Sequence, residues 1–196
     1  MREGNSCHIH LSLRGTDGEI VFWDEGRRTP LYDSFVAGVL AGMADFTLLF
    51  APNINSYKRF ADGSFAPTAI AWGEDNRTCA VRLVGHGAGA RMENRVPGGD
   101  VNPYLAIAAM LAAGLHGVEQ GLELEPALEG NAYASNKPRV PHTLRAAREV
   151  FAASELARAT LGDEVVDHYT NMADVELAAF ESSVTDWERR RSFERM

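Results

Sequence analysis

From His8 to Leu13 apolar and polar positions alternate. Ile9, Leu11 and Leu13 fall on one face, and His8, His10 and Ser12 on the other, the period-two pattern of a half-buried strand. Gly15-Thr16-Asp17-Gly18 predicts a hairpin turn into a second strand, Ile20 to Trp23. Thr29-Pro30 predicts a helix start, with an N-cap followed by proline at the first helical position. Leu31, Phe35, Val39, Met43, Phe46 and Phe50 follow at helical spacing until Pro52 ends the run. The polar stretch from Pro52 to Phe65 predicts a loop. Thr78 to Val84 and Ala90 to Val96 predict strands on either side of Gly85-His86-Gly87-Ala88-Gly89. A helix is expected from Asn102-Pro103 to about Leu122, a loop from Glu125 to Pro141, and a helix from about Thr143. The last predicted helix begins at Asp163 and carries Val165, Tyr169, Met172, Leu177, Phe180, Val184 and Trp187 as one apolar stripe.

Composition narrows the class. The chain has 196 residues, 45% hydrophobic and 23% charged, which is globular rather than disordered. Its formal charge of −8 argues against nucleic acid and anionic membrane as partners. Asp45 interrupts the longest apolar stretch, Phe35 to Ala51, short of a membrane span. Met1-Arg2-Glu3-Gly4-Asn5 carries no apolar signal core. Cys7 and Cys79 are too few for a disulfide framework. The expectation is a cytoplasmic protein with reduced thiols. Arg189-Arg190-Arg191 reads as a solvated helix end.

Three groups of residues carry candidate chemistry. His8 and His10 project from one strand face about ~7 Å apart, so both imidazoles can serve one pocket. The pattern fits a metal or phosphate site, but taken alone it favours two surface histidines on a half-exposed strand. Arg91, Glu93 and Arg95 share a face if their segment is a strand. Two guanidiniums beside a carboxylate suit a metal ligand among anionic substrate groups, or a salt-bridged solvent face. Arg59, Arg77 and Arg82 add to a local concentration of arginine in an acidic chain, which points to an anion pocket without naming the anion. No HExxH, Walker-A, GxSxG or GxGxxG pattern occurs.

Taken in order, these motifs resemble the glutamine synthetase superfamily. The resemblance runs through Gly4-Asn5-Ser6-Cys7-His8-Ile9-His10-Leu11-Ser12-Leu13, Pro52-Asn53-Ile54-Asn55-Ser56-Tyr57-Lys58-Arg59 and Asn76-Arg77-Thr78 to Arg82. It continues in Arg91-Met92-Glu93-Asn94-Arg95, Asn102-Pro103-Tyr104-Leu105 and, in less detail, Val184-Thr185-Asp186-Trp187-Glu188. It implies an ATP-dependent ligase that converts glutamate to γ-glutamyl phosphate, which an amine or ammonia then attacks. It implies His8 and Glu93 as ligands of Mg²⁺ or Mn²⁺ at the nucleotide phosphates. His10, Ser12, Arg82 and Arg91 would contact ATP, and Gly4, Arg59 and Arg95 glutamate. Arg77 would act catalytically on the transferring phosphoryl group. The fold implied is α+β, an incomplete antiparallel sheet covered by helices.

Three departures from the family pattern change the expectation. Glu3 stands where members usually have Asn, beside the glutamate site. The flap that normally reads Pro-Gly-(aromatic)-Glu-Ala-Pro here reads Asp62-Gly63-Ser64-Phe65-Ala66-Pro67. Phe65 thus replaces the carboxylate of the ammonium pocket, which favours the branch that joins glutamate to a larger amine. The family's N-terminal β-grasp domain and first catalytic strands are absent from residues 1–196, so the expectation is the C-terminal part of a catalytic domain. Turnover by the isolated chain is then not expected. An inactive remnant with a binding or assembly role is the alternative, and a metal hydrolase using the two histidines leaves the arginines unexplained. The resemblance implies a homo-oligomer for intact members. For this chain, pairing at sheet edges would give a dimer or a non-native oligomer.

Overall fold

The computed structural model describes residues 4–195; Glu3 lies outside them. Six strands and seven helices are formed among these residues: β1 (Ile9–Leu11), β2 (Trp23–Asp24), β3 (Arg27–Arg28), α1 (Pro30–Ala41), α2 (Thr47–Phe50), β4 (Ala69–Glu74), β5 (Cys79–Val84), β6 (Arg91–Asn94), α3 (Pro103–Glu119), α4 (Leu144–Ala153), α5 (Glu155–Leu161), α6 (Asp163–Glu181) and α7 (Asp186–Arg195). The α+β class holds. The main sheet has the order β1-β6-β5-β4, and β2-β3 form a separate ribbon.

The sheet is mixed rather than wholly antiparallel. β1 and β5 each run antiparallel to β6, but β4 runs parallel to β5. Parallel neighbours ordinarily need a long crossover. Here the link is Asp75 to Thr78, and β4 is held from its other side by the loop before α4. Leu128 N–H donates to the Trp72 carbonyl (2.8 Å), Ile70 N–H to that of Pro138 (2.8 Å) and Val140 N–H to that of Thr68 (2.9 Å). β4 lay inside a segment with no clean alternation, because most of its side chains are buried. The hairpin expected after Gly18 shrinks to an isolated bridge between Arg14 and Ile20, and the paired strands lie later, at β2 and β3.

Local sequence chemistry starts the helices where expected. Thr29 accepts from Tyr32 N–H and Asn102 from Tyr104 N–H, each with proline next, and Thr143 accepts from Ala146 N–H. The long apolar run divides at Gly42 into α1 and α2. The expected loop from Pro52 contains a 3₁₀ turn, Ile54–Arg59. The stripe predicted on the last helix is corrected in two ways. The helix ends at Ser182 and restarts at α7, where Thr185 and Glu188 cap each other. Its buried line is Val166, Thr170, Ala173 and Leu177, while Met172, Phe180, Val184 and Trp187 are exposed.

The core packs α1, α2 and α3 on one face of the sheet, through Phe22, Phe35, Met43, Phe46, Phe50, Met92 and Met110. α1 and α3 cross at glycine. A Cβ on Gly38 would lie 2.2 Å from the Ala113 carbonyl oxygen, and one on Gly117 would lie 2.2 Å from that of Ser34. In an open helix, Gly→Ala gains roughly 1 kcal/mol; at this crossing the backbones must separate, at a cost of about 1–3 kcal/mol or more. Gly38→Ala is therefore expected to lower the denaturation midpoint. A midpoint unchanged or raised in urea unfolding would show that the crossing tolerates a methyl group.

Candidate functional site

Register builds the site. On β1, β6 and β5, His10 pairs with Glu93 and Glu93 with Arg82, so these three side chains form a row across one face of the sheet. On the other face, Leu11, Met92 and Leu83 form the matching row and meet the helices. The alternation read from His8 to Leu13 is realised, with His8, His10 and Ser12 turned away from the core.

Glu93 is the centre of the row and is 3% exposed. Its Oε2 accepts from Arg82 Nη1 (2.9 Å), and its Oε1 accepts from Arg95 Nη1 (2.9 Å). His8 Nδ1 lies 3.0 Å from the same Oε1 and His10 Nε2 lies 3.7 Å from it. Burial alone would raise the Glu93 pKa, but Arg82, Arg95 and His8 together hold it below the ordinary glutamate value. Burial, reinforced by Arg95, lowers that of His8, which favours the neutral imidazole that a metal ligand requires. Arg82 also reaches outward: its Nε donates to Asp75 Oδ1 (2.8 Å), and Nη2 meets the same oxygen. Arg91 Nε donates to His10 Nδ1 (3.2 Å).

The remaining expected residues surround this row. Arg59, at the end of the 3₁₀ turn, donates to the carbonyls of Val96 (2.7 Å) and Arg95 (2.8 Å). Gly4 lies against the Arg59 stem, where a Cβ would come within 2.8 Å. Gly4 and Arg59 border a cavity of about 420 Å³ with Asn5, Lys58 and Asp100. The Arg95 guanidinium faces Glu93 and is not among that cavity's lining, so the expected glutamate set is contiguous through backbone rather than gathered in one pocket. Arg77 is exposed on the turn after β4 and shares a cavity of about 850 Å³ with Phe65. Ser12 is exposed just beyond β1.

Phe65 is 60% exposed and has φ +59°, a backbone region that a bulky aromatic residue rarely occupies. Its carbonyl accepts from Arg95 Nη2 (3.3 Å), and the next carbonyl, Ala66, accepts from the Tyr133 hydroxyl (3.0 Å). The flap position is thus tied directly to the residue that pairs with Glu93. Asp75, Asp100 and Tyr133 were missed by the sequence reading. Asp75 directly precedes the quoted Asn76-Arg77-Thr78 motif, but the others act across long sequence separations and carry no local signal.

The donor set fits part of a divalent cation site. A separation of 3.0 Å between His8 Nδ1 and Glu93 Oε1 serves a hydrogen bond, and it also matches the ~3.0 Å edge of an octahedron with bonds of ~2.1 Å. Among the described residues no group of three or more His, Cys, Asp or Glu side chains is arranged to hold a metal ion. Two donors suited to a cation, His8 Nδ1 and Glu93 Oε1, stand together beside guanidiniums suited to phosphate oxygens. Among the described residues, no helix is long and apolar enough to cross a membrane.

The chain as a whole has known relatives. Residues 1–192 match the family described as glutamine synthetase, catalytic domain. The chain belongs to the glutamine synthetase family. It is 61% identical over 194 residues to a γ-glutamylethanolamide synthetase of Streptomyces coelicolor, covering 99% of this chain and 42% of that protein. It is 40% identical over 196 residues to a glutamate–isopropylamine ligase of a Pseudomonas species, covering 96% and 42% of the two. A solved structure described as a GmaS/ADP complex superposes with a TM-score of 0.87 at 32% identity, covering 97% of this chain and 46% of that one. The chain therefore spans less than half the length of these relatives. No family relative is needed to see the electrostatic constraint, however: Arg95 is 4% exposed and has Glu93 as its carboxylate partner.

Two expectations follow. Glu93→Ala leaves the Arg95 guanidinium buried without a counter-charge, so it is expected to destabilise the fold by about 3–5 kcal/mol. Chemical denaturation checks this, and a loss below about 1 kcal/mol would contradict the burial argument. Asp100 accepts from Ser56 Oγ (2.6 Å) and Asn53 Nδ2 (3.0 Å). Burial would raise its pKa, but these bonds outweigh it and hold the value below 3.8. The unfolded chain therefore takes up this proton first. The stabilisation is complete above pH 3.8 and is lost as pH falls through the folded value. Asp100→Ala should cost about 1 kcal/mol at neutral pH, given the residue's exposure. The gap from wild type should shrink at lower pH; a gap independent of pH would be the contrary result.

Proposed function

We propose that this chain carries the nucleotide-phosphate and glutamate side of an ATP-dependent glutamate–amine ligase active site. The observation behind this is the row His10, Glu93 and Arg82, with His8 and Arg95 converging on the same carboxylate. Such a row presents guanidiniums to anionic oxygens while one buried carboxylate keeps them in place. Phosphoryl transfer needs this kind of positioning and charge neutralisation more than it needs covalent chemistry by the protein.

In this reading a γ-carboxylate oxygen of glutamate attacks the terminal phosphorus of ATP. The bond to the bridging oxygen breaks, giving γ-glutamyl phosphate and ADP. The amine then attacks the acyl carbon, phosphate leaves, and the amine nitrogen loses a proton. Arg82, Arg91, His10 and Ser12 hold the nucleotide. Arg59, with Gly4 packed on its stem, and Arg95 orient glutamate. Arg77, free on its turn, neutralises the phosphoryl group in transfer. Mg²⁺ or Mn²⁺ held by His8 and Glu93 would neutralise phosphate charge. The other ligands would come from phosphate oxygens, water and polypeptide beyond the described residues.

The acceptor is proposed to be an alkylamine larger than ammonia. Phe65 supports this, since an exposed aromatic ring beside Arg77 offers methylenes a surface and offers ammonium no counter-ion. The relatives named for an ethanolamide product and for isopropylamine as the group joined to glutamate fit the same choice. Two methylenes buried on the ring, at about 0.8 kcal/mol each, correspond to roughly a tenfold preference. The test is ADP release by the full-length protein carrying this chain, dependent on glutamate and compared between ammonia and a series of alkylamines. An alkylamine is expected to have the highest kcat/KM, and Phe65→Glu to shift the ranking toward ammonia. Ammonia as the best wild-type acceptor, or an unchanged ranking in Phe65→Glu, would overturn the acceptor assignment.

A further inference from the structure

Arg82 differs from the other guanidinium on Glu93. Arg95 is buried and has one carboxylate, whereas Arg82 lies between two, Glu93 on the sheet and Asp75 at its rim. Asp75 is held for this purpose by its own backbone. It follows β4 with φ +49°, a left-handed conformation that Asp tolerates better than most residues. Its N–H donates to the Leu83 carbonyl (3.0 Å), one residue beyond Arg82 on β5.

The turn that follows is also constrained. Asn76 Nδ2 donates to the carbonyls of Gly130 (2.9 Å) and Leu128 (3.2 Å), and Asn76 Oδ1 accepts from Thr78 N–H (3.0 Å) and its hydroxyl (2.7 Å). The Asp75 carboxylate is thus fixed at the exposed end of the Arg82 side chain, and Arg77 is presented from the same turn.

We propose that Asp75 is a positioning residue for phosphoryl transfer: it grips Arg82 from outside, so that the guanidinium keeps its orientation when Glu93 turns to other partners. Glu93 is crowded. Any cation or substrate group that draws on Oε2 competes with Arg82 Nη1. Without Asp75, Arg82 would either stay locked on Glu93 or swing into solvent. With it, Nε and Nη2 remain anchored and only the Nη1 contact has to yield. This inference rests on the ligase reading, since it assigns Arg82 to the phosphates. The bracket itself is a property of the chain alone.

Two measurements separate these layers. In the 196-residue chain, the Arg82 Nε–H signal in an arginine-selective ¹H–¹⁵N spectrum, assigned by its loss in Arg82→Lys, is expected to be shifted and slow to exchange. Asp75→Asn should move it to the exposed-arginine position with the rest of the spectrum preserved, and Asp75→Glu should largely retain it. A signal insensitive to Asp75→Asn would overturn the bracket whatever the protein catalyses. In the full-length protein, Asp75→Asn is expected to lower kcat about tenfold or more with KM for glutamate little changed, and Asp75→Glu to recover most of it. Combined with Arg82→Lys it should add little. Additive losses, or wild-type kcat in Asp75→Asn, would overturn the positioning role. Absence of glutamate-dependent turnover in the wild type would overturn both the ligase reading and the positioning role, leaving the bracket to the spectral result.

Discussion

One buried carboxylate organises this molecule's polar face. Glu93 sits in the middle strand of three antiparallel ones, nearly inaccessible, with guanidiniums on both oxygens and imidazoles alongside. Guanidiniums packed together on a sheet would repel one another and lose hydration, and a lone buried carboxylate would take up a proton. Each makes the other tolerable. The result is a row of guanidiniums whose orientation is set in advance by bonds to carboxylates.

The opposite face of the same strands explains why that surface is rigid. Alternation sends Leu11, Met92 and Leu83 into the core, and the core is completed by helices that touch at glycine. α1 and α3 approach closely, Gly114 accommodates the Phe35 ring, and large aromatic side chains share the core with the sheet. A shift of that helix pair would move β6, and Glu93 with it. Packing on one face and charge pairing on the other are therefore two consequences of one strand periodicity.

The flap is built differently. Phe65 is exposed and in a left-handed conformation, held where its own carbonyl accepts from Arg95 and the next one, of Ala66, from the Tyr133 hydroxyl. Arg139 anchors the loop that supplies Tyr133, donating to the carbonyls of Tyr133 (2.8 Å) and Ser135 (2.9 Å) and to Thr68 Oγ1 (2.9 Å). A segment held by a few polar contacts rather than by buried apolar area belongs to the low-stability end of a structure. In the proposed function, that is where an acceptor pocket could vary without disturbing the row at Glu93.

The sequence by itself determined the elements whose signals are local. Alternation from His8 to Leu13, the Thr29-Pro30, Asn102-Pro103 and Thr143 helix starts, and the parity of Arg91, Glu93 and Arg95 all follow from side-chain period or capping chemistry within a few residues. The ordered motifs carried the family as well. Tertiary structure alone decided which side chains meet. Arg82 facing Glu93 depends on strand register, and Asp75 gripping Arg82 on a left-handed residue at a strand end. The outer edge of β4 is held by a loop well over fifty residues later in the chain, and the buried line of α6 depends on which neighbour it packs against. Even where the partners are near in sequence, as Asp75 and Arg82 are, these contacts are set by backbone geometry, by shape and by the cost of leaving charge unpaired, none of which a side-chain pattern displays.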